Sequence, residues 1–534
     1  MLCLQGRLDQ LDAMLDALSS GSPEATARAA EALDGLPSSA SCLDVTATAS
    51  EEPPPRDPQR RDAIASAQRA IAEAQAAVFD PVRLDMRGKS EHAVALARAT
   101  EWTPVIIDAL HVLAELAYVE QRYEDSLKAY RESIRLAIRT GSDAPAVTGM
   151  SNSAWSLVDT GRHGEAAMVL ATARALWERV GQPPALLHQI LGAESHLALD
   201  EGRPRDALLA TRAQIVAVEQ ALGTPTTSVA INQYNLAIAL LAAGENEEAA
   251  VAVARAVTLA IEALGEEHPK VAAYRLMAAK VAVNRGELEA ARELATPALR
   301  SYERWFGGDD PRLALALNLL GMIAQRQGRN DEAIALYQRQ LELRRAQDPD
   351  SAEIAEIQAN LAVVAAQKGD FATAVPAAAQ ALAELERHRG PDSALLVPAL
   401  LLTGYLARER PEPDLALSER DLVRALALAE KGLGADHSDT INVDLELAIT
   451  ELAAGKPAKA IARLERRLAR IDALEVPLSQ PFELRVALAR ALLATGATAR
   501  ACTLAGDAER GYRAHQLDAE PVAQWRAQHC AGKP

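Results

Sequence analysis

Residues 234–265, YNLAIALLAAGENEEAAVAVARAVTLAIEALG, determine the fold of this chain. Apolar residues recur at three- and four-residue steps on both sides of Gly244, which is the pattern of two amphipathic helices. The short polar stretch that begins at Gly244 interrupts this pattern. The segment therefore predicts a helical hairpin whose turn lies at Gly244.

The same turn occurs ten times along the chain. Successive copies are separated by 40, 41, 42, 42, 42, 41, 42, 44 and 41 residues. A period of this size is typical of a helical solenoid, in which each unit packs against its neighbours and no single central core exists. The turns begin at Gln121, Gly161, Gly202, Gly244, Gly286, Gly328, Gly369, Pro411, Gly455 and Gly496.

Small residues flank every turn at fixed offsets. The residue seven positions before the turn and the residue five positions after it are always Gly, Ala or Ser. Two helices joined by a short turn can approach closely only where their facing positions lack bulk. The positions are Ala114, Ala154, Ser195, Ala237, Ala279, Gly321, Ala362, Gly404, Ala448 and Ala489 before the turn, and Ser126, Ala166, Ala207, Ala249, Ala291, Ala333, Ala374, Ala416, Ala460 and Ala501 after it.

Composition agrees with an all-α solenoid and narrows the class of partner. The 534 residues are 49% hydrophobic and only 3% aromatic, which suits thin layers of Ala- and Leu-rich helices. The formal net charge of −17 argues against nucleic acid and anionic membranes as partners, because both require clustered Lys and Arg. The acidity fits either a soluble surface with no further role or a surface that receives a neutral or basic peptide.

The repeats define the predicted domains. Residues 1–48 form an N-terminal helical hairpin, with helices over 2–19 and 23–36, and residues 49–61 form a Pro-rich linker. The solenoid covers 62–498; its first unit is degenerate, with a long helix over 62–80 and a turn at Gly88. Residues 499–534 form a C-terminal helical hairpin that caps the solenoid.

The four cysteines all lie in the two end pieces. Cys3 and Cys42 flank the predicted turn of the first hairpin, and Cys502 and Cys530 flank a turn near Leu517. Both spacings bring the two cysteines to the open end of a hairpin, so we expect two disulfides. Buried reduced thiols are the alternative. No pair has the CxxC spacing of a zinc site, so we expect no metal.

Motifs for catalysis and cofactor binding are missing from the sequence. It contains no GxSxG, HExxH, Walker A or GxGxxG segment, so we expect neither an enzyme nor a cofactor. His268 and His437 fall in the loops GEEHP and GADHS and are interpreted as loop or cap residues. Asp310 before Pro311 is interpreted as a helix N-cap.

The repeat resembles the tetratricopeptide repeat over about residues 85 to 512. The small residue before the turn, the Gly in the turn and the Ala after it match the pattern of that family, and Tyr337 matches an aromatic position. The 42-residue length, with LGEEHPKVA (264–272) and LGADHSDT (433–440), resembles the longer kinesin-light-chain type. The resemblance implies a right-handed α-solenoid with a concave groove that binds a protein or peptide.

The resemblance also implies which residues line that groove. In this family an Asn nine residues before the turn often hydrogen-bonds the backbone of an extended peptide. Asn152, Asn235 and Asn360 match that offset, and Asn318 is displaced from it by one residue. Tyr234 and Arg275 lie near the same face. The alternative is that these asparagines are solvated or bond within their own helices.

The N-terminal piece resembles the segment after the membrane helix of bacterial Ser/Thr protein kinases that carry C-terminal tetratricopeptide repeats. The match consists of Cys3-Leu4, a following Arg7, Leu36-Pro37, Cys42 and then a Pro-rich linker. It implies a sensory or partner-recruiting array that works outside the cytoplasm and lacks the kinase domain. No secretion signal precedes it, so the chain is either a segment of a longer membrane-anchored protein or a cytoplasmic regulatory subunit with reduced thiols.

Overall fold

A computed structural model shows the chain as α-helices joined by short turns. It describes residues 2–19, 52–53, 55–77, 85–222, 226–472, 480–514 and 517–530. The helices of these residues are α1 (Leu2–Leu18), α2 (Pro58–Ala76), α3 (Met86–Ala99), α4 (Thr103–Val119), α5 (Tyr123–Thr140), α6 (Asp143–Asp159), α7 (His163–Arg179), α8 (Pro184–Asp200), α9 (Pro204–Leu222), α10 (Thr226–Ala242), α11 (Asn246–Leu264), α12 (Pro269–Asn284), α13 (Leu288–Phe306), α14 (Ala314–Arg326), α15 (Asn330–Gln347), α16 (Ala352–Gln367), α17 (Phe371–Arg389), α18 (Val397–Glu409), α19 (Leu415–Gly432), α20 (Ser438–Ala453), α21 (Pro457–Asp472), α22 (Gln480–Ala494), α23 (Thr498–Ala514) and α24 (Glu520–Cys530).

Helices α4 to α23 form ten hairpins, one for each turn predicted from the sequence. Within each unit the two helices of a hairpin pack along each other, and the second helix packs on the first helix of the next hairpin. The chain divides into two compact units, residues 1–319 and 320–534, with the division inside α14. The prediction of an all-α repeat fold is confirmed.

Left-handed backbone at the turn residue explains why glycine recurs there. The eight turn glycines have φ between +68 and +83°. At Gly161 the turn closes through two backbone hydrogen bonds, from Gly161 N to the carbonyl of Val158 and from Arg162 N to the carbonyl of Leu157, both 2.8 Å. These bonds satisfy carbonyls that the end of the first helix leaves unpaired. Gln121 adopts the same conformation, with φ of 59°.

The small residues are buried where the two helices of a hairpin meet. All ten predicted before the turn are buried, and nine of the ten predicted after it have no exposed surface. Gly321 shows why bulk is excluded, because a Cβ there would lie 2.7 Å from Cε1 of the buried Tyr337 ring. Close approach at these positions is therefore what fixes the register of each hairpin.

The prediction for Ala416 is wrong. Ala416 is exposed, and Ser418, two residues later, is the buried small residue at this hairpin. The turn before α19 is two residues longer than the others, because Asp414 caps α19 by accepting a hydrogen bond from Leu417 N at 2.9 Å. The Ser418 hydroxyl lies 3.0 Å from the hydroxyl of Thr450 on α20.

The loops between repeats end in N-caps, as the sequence indicated for three of them. Nδ1 of His268 accepts a hydrogen bond from Lys270 N at 3.0 Å, and Nδ1 of His437 accepts one from Asp439 N at 3.2 Å. Asp310 caps the helical turn at Pro311 in the same way. These histidines are therefore structural caps.

The N-terminal region differs from the prediction in two details. Helix α2 begins at Pro58, because Asp57 caps it, so the last residues of the predicted linker are helical. The predicted turn at Gly88 is wrong: Gly88 lies in the first turn of α3, where its N–H donates to Oδ1 of Asp85 at 2.8 Å. Helix α1 packs on α2. The predicted helix over 23–36 and the Cys3–Cys42 pairing fall outside the described residues.

The C-terminal end is a hairpin of α23 and α24 joined by a disulfide. Cys502 and Cys530 are bonded, with their Cα atoms 5.8 Å apart. Val522 of α24 is buried, and Arg526 of α24 forms an ion pair with Glu509 of α23. The last helix thus lies against the second helix of the final repeat.

Candidate functional site

The first helices of the repeats present a recurring set of side chains. We define the first-helix face as the residues 13, 9, 6 and 2 positions before each turn residue. The predicted asparagines belong to this face or lie beside it. The first-helix face recurs in both compact units of the chain.

The asparagines of the first unit are half-buried. Nδ2 of Asn152 on α6 lies 3.4 Å from Oε1 of Glu115 on α4. No described residue hydrogen-bonds the amide of Asn235 on α10, so that amide can still both donate to and accept from a partner. Asn318 on α14 is also half-buried and has a partner within the chain.

Tyr234 and Arg275 are held by neighbouring residues. The rings of Tyr234 and Tyr274 stack, with centroids 4.6 Å apart, and connect α10 to α12. The Arg275 guanidinium pairs with Oε1 of Glu266 at 2.7 Å, and its side chain is only 14% exposed. Arg275 therefore binds the loop that precedes its own helix.

Three first helices of the first unit are linked by a chain of polar contacts that the sequence did not reveal. The Tyr118 hydroxyl of α4 donates to Oδ2 of Asp159 on α6 at 2.7 Å, and Oδ1 of Asp159 lies 2.8 Å from Nε2 of His196 on α8. His196 also stacks on Trp155, with ring centroids 4.5 Å apart. Trp155 and His196 share one offset from their turns, and this shared offset was the signal available in the sequence.

The second unit contains a cavity of about 430 Å³ on its first helices, here called the second-unit cavity. Its apolar part includes Leu401, Leu402 and Leu406 of α18, with Val363 of α16 and Phe371 at the start of α17. The polar part consists of Gln367, Tyr405, Asn442, Glu446 and Glu483.

Leu402 and Glu446 connect this cavity to the predicted groove. Both lie nine residues before their turns, which is the offset of the predicted Asn360. In the two repeats after Asn360, the residue nine positions before the turn therefore lines a cavity. Asn360 itself is half-buried, has a partner within the chain and is not among the residues that line the second-unit cavity.

The two carboxylates of the second-unit cavity differ in their surroundings. Oε2 of Glu446 lies 2.7 Å from Nη1 of Arg408, whose side chain is 7% exposed. Glu483, in the first turn of α22, is half-buried, and no described Lys or Arg forms an ion pair with it. Burial raises the pKa of Glu483, and the charge of Glu446 raises it further.

The described residues contain neither a metal-binding cluster nor a helix suited to span a membrane. No group of three His, Cys, Asp or Glu side chains there is placed to hold a metal ion. None of the described helices combines the length and the apolar character that crossing a membrane would require.

A series of short helical hairpins that pack mainly on their neighbours is an α-solenoid scaffold. Residues 233–270, 279–346 and 312–387 match the tetratricopeptide repeat. The chain therefore carries tetratricopeptide repeats within residues 233–387, which is part of the range where the sequence predicts them.

Solved structures of repeat proteins are also similar to this chain. The apo form of the quorum sensor NprR from B. thuringiensis is 14% identical over 66% of this chain and 99% of that one, with a TM-score of 0.48. The apo form of RapI is 12% identical over 70% of this chain and 99% of that one, with a TM-score of 0.45. A kinesin light chain with tetratricopeptide-like repeats from Podosopora anserina is 17% identical over 46% and 95% of the two chains, with a TM-score of 0.27.

These TM-scores do not establish a shared overall arrangement, so the family assignment depends on the repeat itself. The search among curated proteins found no match to this sequence.

Proposed function

We propose that this chain is a protein-binding scaffold whose first-helix face holds an extended segment of a partner. The observation that supports the proposal is the second-unit cavity, because residues at equal offsets in successive repeats line it. Side chains that recur at equal offsets can contact a peptide at regular intervals. The free amide of Asn235 supplies a backbone-binding group of the kind that the family resemblance implies.

For the biological setting, we propose the sensory or partner-recruiting array of a bacterial Ser/Thr kinase, on the outer face of the cytoplasmic membrane. The N-terminal sequence resemblance supports the kinase, and the Cys502–Cys530 disulfide supports an oxidising compartment. The alternative is a cytoplasmic accessory subunit whose repeats bind and control a separate enzyme.

Peptide selection from a displayed random library tests the binding proposal. Leu402→Arg should abolish enrichment by placing a long cationic side chain in the second-unit cavity. Val251→Arg is the matched control, because Val251 is 72% exposed on the second helix α11. Enrichment that both variants retain, or that both lose, would contradict a role for the cavity.

The asparagines are tested separately in the same assay. Asn235→Ala combined with Asn360→Ala should weaken capture of the selected peptides while the melting temperature stays unchanged. Asn284→Ala, at an exposed position near the end of α12, is the control. Unchanged capture by the double variant would remove the asparagines from the proposed groove.

Two observations test the setting. A kinase domain and a membrane span encoded immediately upstream of Met1 would support the kinase array. Alkylation of the native protein without reductant, read by mass spectrometry, should leave Cys502 and Cys530 unmodified. Free alkylation of both cysteines would contradict the extracytoplasmic location and favour the cytoplasmic subunit.

A further inference from the structure

We propose that the second-unit cavity selects a peptide in which an apolar side chain is followed directly by lysine or arginine. The apolar residue would enter the cavity, and the cation of its neighbour would pair with Glu483. This inference rests on the proposed peptide-binding function and adds the chemical class of the partner.

The cavity has the size and the lining for an apolar anchor. Its volume of about 430 Å³ lies within the range of roughly 300–1,000 Å³ that is typical of ligand sites. Leu402, Leu406 and Phe371 provide aliphatic and aromatic surface for such a side chain. Burying one Leu-sized side chain there contributes favourably in proportion to the apolar area removed from water.

The charges of the lining favour a cation beside the anchor. Two of the lining residues, Glu446 and Glu483, are carboxylates, and none is Lys or Arg. Glu446 already pairs with Arg408, whereas Glu483 has no described cationic partner. A half-buried carboxylate without a partner loses hydration that nothing replaces, and a bound ammonium or guanidinium would compensate for that loss.

The first-helix face around the second-unit cavity is also negatively charged. In the last four repeats the first-helix face carries four carboxylates and one basic residue. An acidic peptide would meet like charges there, and like charges at an interface suppress binding. The four carboxylates are Glu356, Glu409, Glu446 and Glu483, and the base is Arg490.

Three synthetic twelve-residue peptides test the inference against the complete chain. They share one pattern of leucines in a Gly-Ser background and place Arg, Gln or Glu directly after each leucine. Affinity is measured by fluorescence anisotropy at about 0.15 M salt, where the Debye length of about 8 Å screens the charge of distant groups. We expect the order Arg over Gln over Glu.

Glu483→Gln should lower the affinity for the Arg peptide about tenfold, since the charged contact is lost. It should change the affinity for the Gln peptide by less than about twofold. Glu412→Gln is the control, because it removes the same charge at an exposed position in the turn before α19. Equal weakening by both variants would mean that net charge alone attracts the peptide, and this outcome would overturn the inference.

The remaining outcomes separate this inference from the proposed function. If the Gln peptide binds as tightly as the Arg peptide and Leu402→Arg abolishes both, the cavity binds peptides without selecting a cation, and only the inference fails. If none of the three peptides binds, the inference fails. If, in addition, no peptide is enriched from the random library, the proposed function is contradicted too.

Discussion

Removing the disulfide between Cys502 and Cys530 should release α24 from the end of the solenoid. Helix α24 has 11 residues, and Val522 is the buried side chain among them. A helix of this length is marginal in isolation. Burial of Val522 contributes about 1.5–3 kcal/mol, and the partly exposed Arg526–Glu509 ion pair adds up to about 1 kcal/mol. Closing the loop between two cysteines 28 residues apart contributes about 3.5 kcal/mol in the chain-entropy account, which is comparable to all of those contacts.

Hydrogen exchange read by mass spectrometry measures this effect directly. In the double variant Cys502→Ser, Cys530→Ser, amide exchange over α24 should accelerate by about two orders of magnitude, while α20 keeps its protection. Reduction of the wild-type chain should reproduce the change. If α24 keeps its wild-type protection in the double variant, its packing holds it without the disulfide, and the reasoning is refuted.

Three further predictions concern single positions. Gln121→Gly should raise the free energy of unfolding in urea by about 1 kcal/mol, because φ of 59° strains a residue with a Cβ; an unchanged or lower value contradicts this. Burial lowers the pKa of His111 to about 4, so between pH about 6.5 and 4 only the unfolded chain binds this proton and stability falls with falling pH. Between pH 7 and pH 5 the free energy of unfolding of His111→Phe should therefore fall by about 2 kcal/mol less than that of the wild type. The same pH dependence in both proteins would contradict this prediction. Ser418→Leu should cost about 2–3 kcal/mol, whereas Ala416→Leu should change stability by less than about 0.5 kcal/mol; equal effects would contradict the register of α19.

The fold was predictable because packing of the repeat imposes strict requirements on sequence. The position five residues after the turn admits only small side chains, and Ala166 and Ala249 are fully buried there. The same requirement explains the error at Ala416. Counting from the turn assumes constant turn length, whereas burial of a small residue fixes the register, and Ser418 satisfies that condition after a longer turn.

The candidate site was less predictable, because its parts come from different repeats. Asp159 accepts from Tyr118 on one side and contacts His196 on the other, and each partner lies about one repeat away in sequence. No one of these residues has an unusual sequence context. Arg275 is a second example: the sequence placed it near the groove face but did not indicate the carboxylate in the preceding loop that pairs with it.

The residues nine positions before each turn suggest how one scaffold can combine general and specific peptide binding. An amide at this offset, as at Asn235, can pair with the backbone of any extended peptide, because every residue other than proline supplies both a donor and an acceptor. In the second unit Leu402 and Glu446 occupy the same offset and line the second-unit cavity, so in the proposed complex they would contact side chains of the partner. Backbone pairing contributes affinity without discrimination, whereas an apolar cavity with a carboxylate distinguishes side chains by size and charge. We therefore expect substitutions at the asparagines to weaken all peptides alike and substitutions in the second-unit cavity to change which peptides bind.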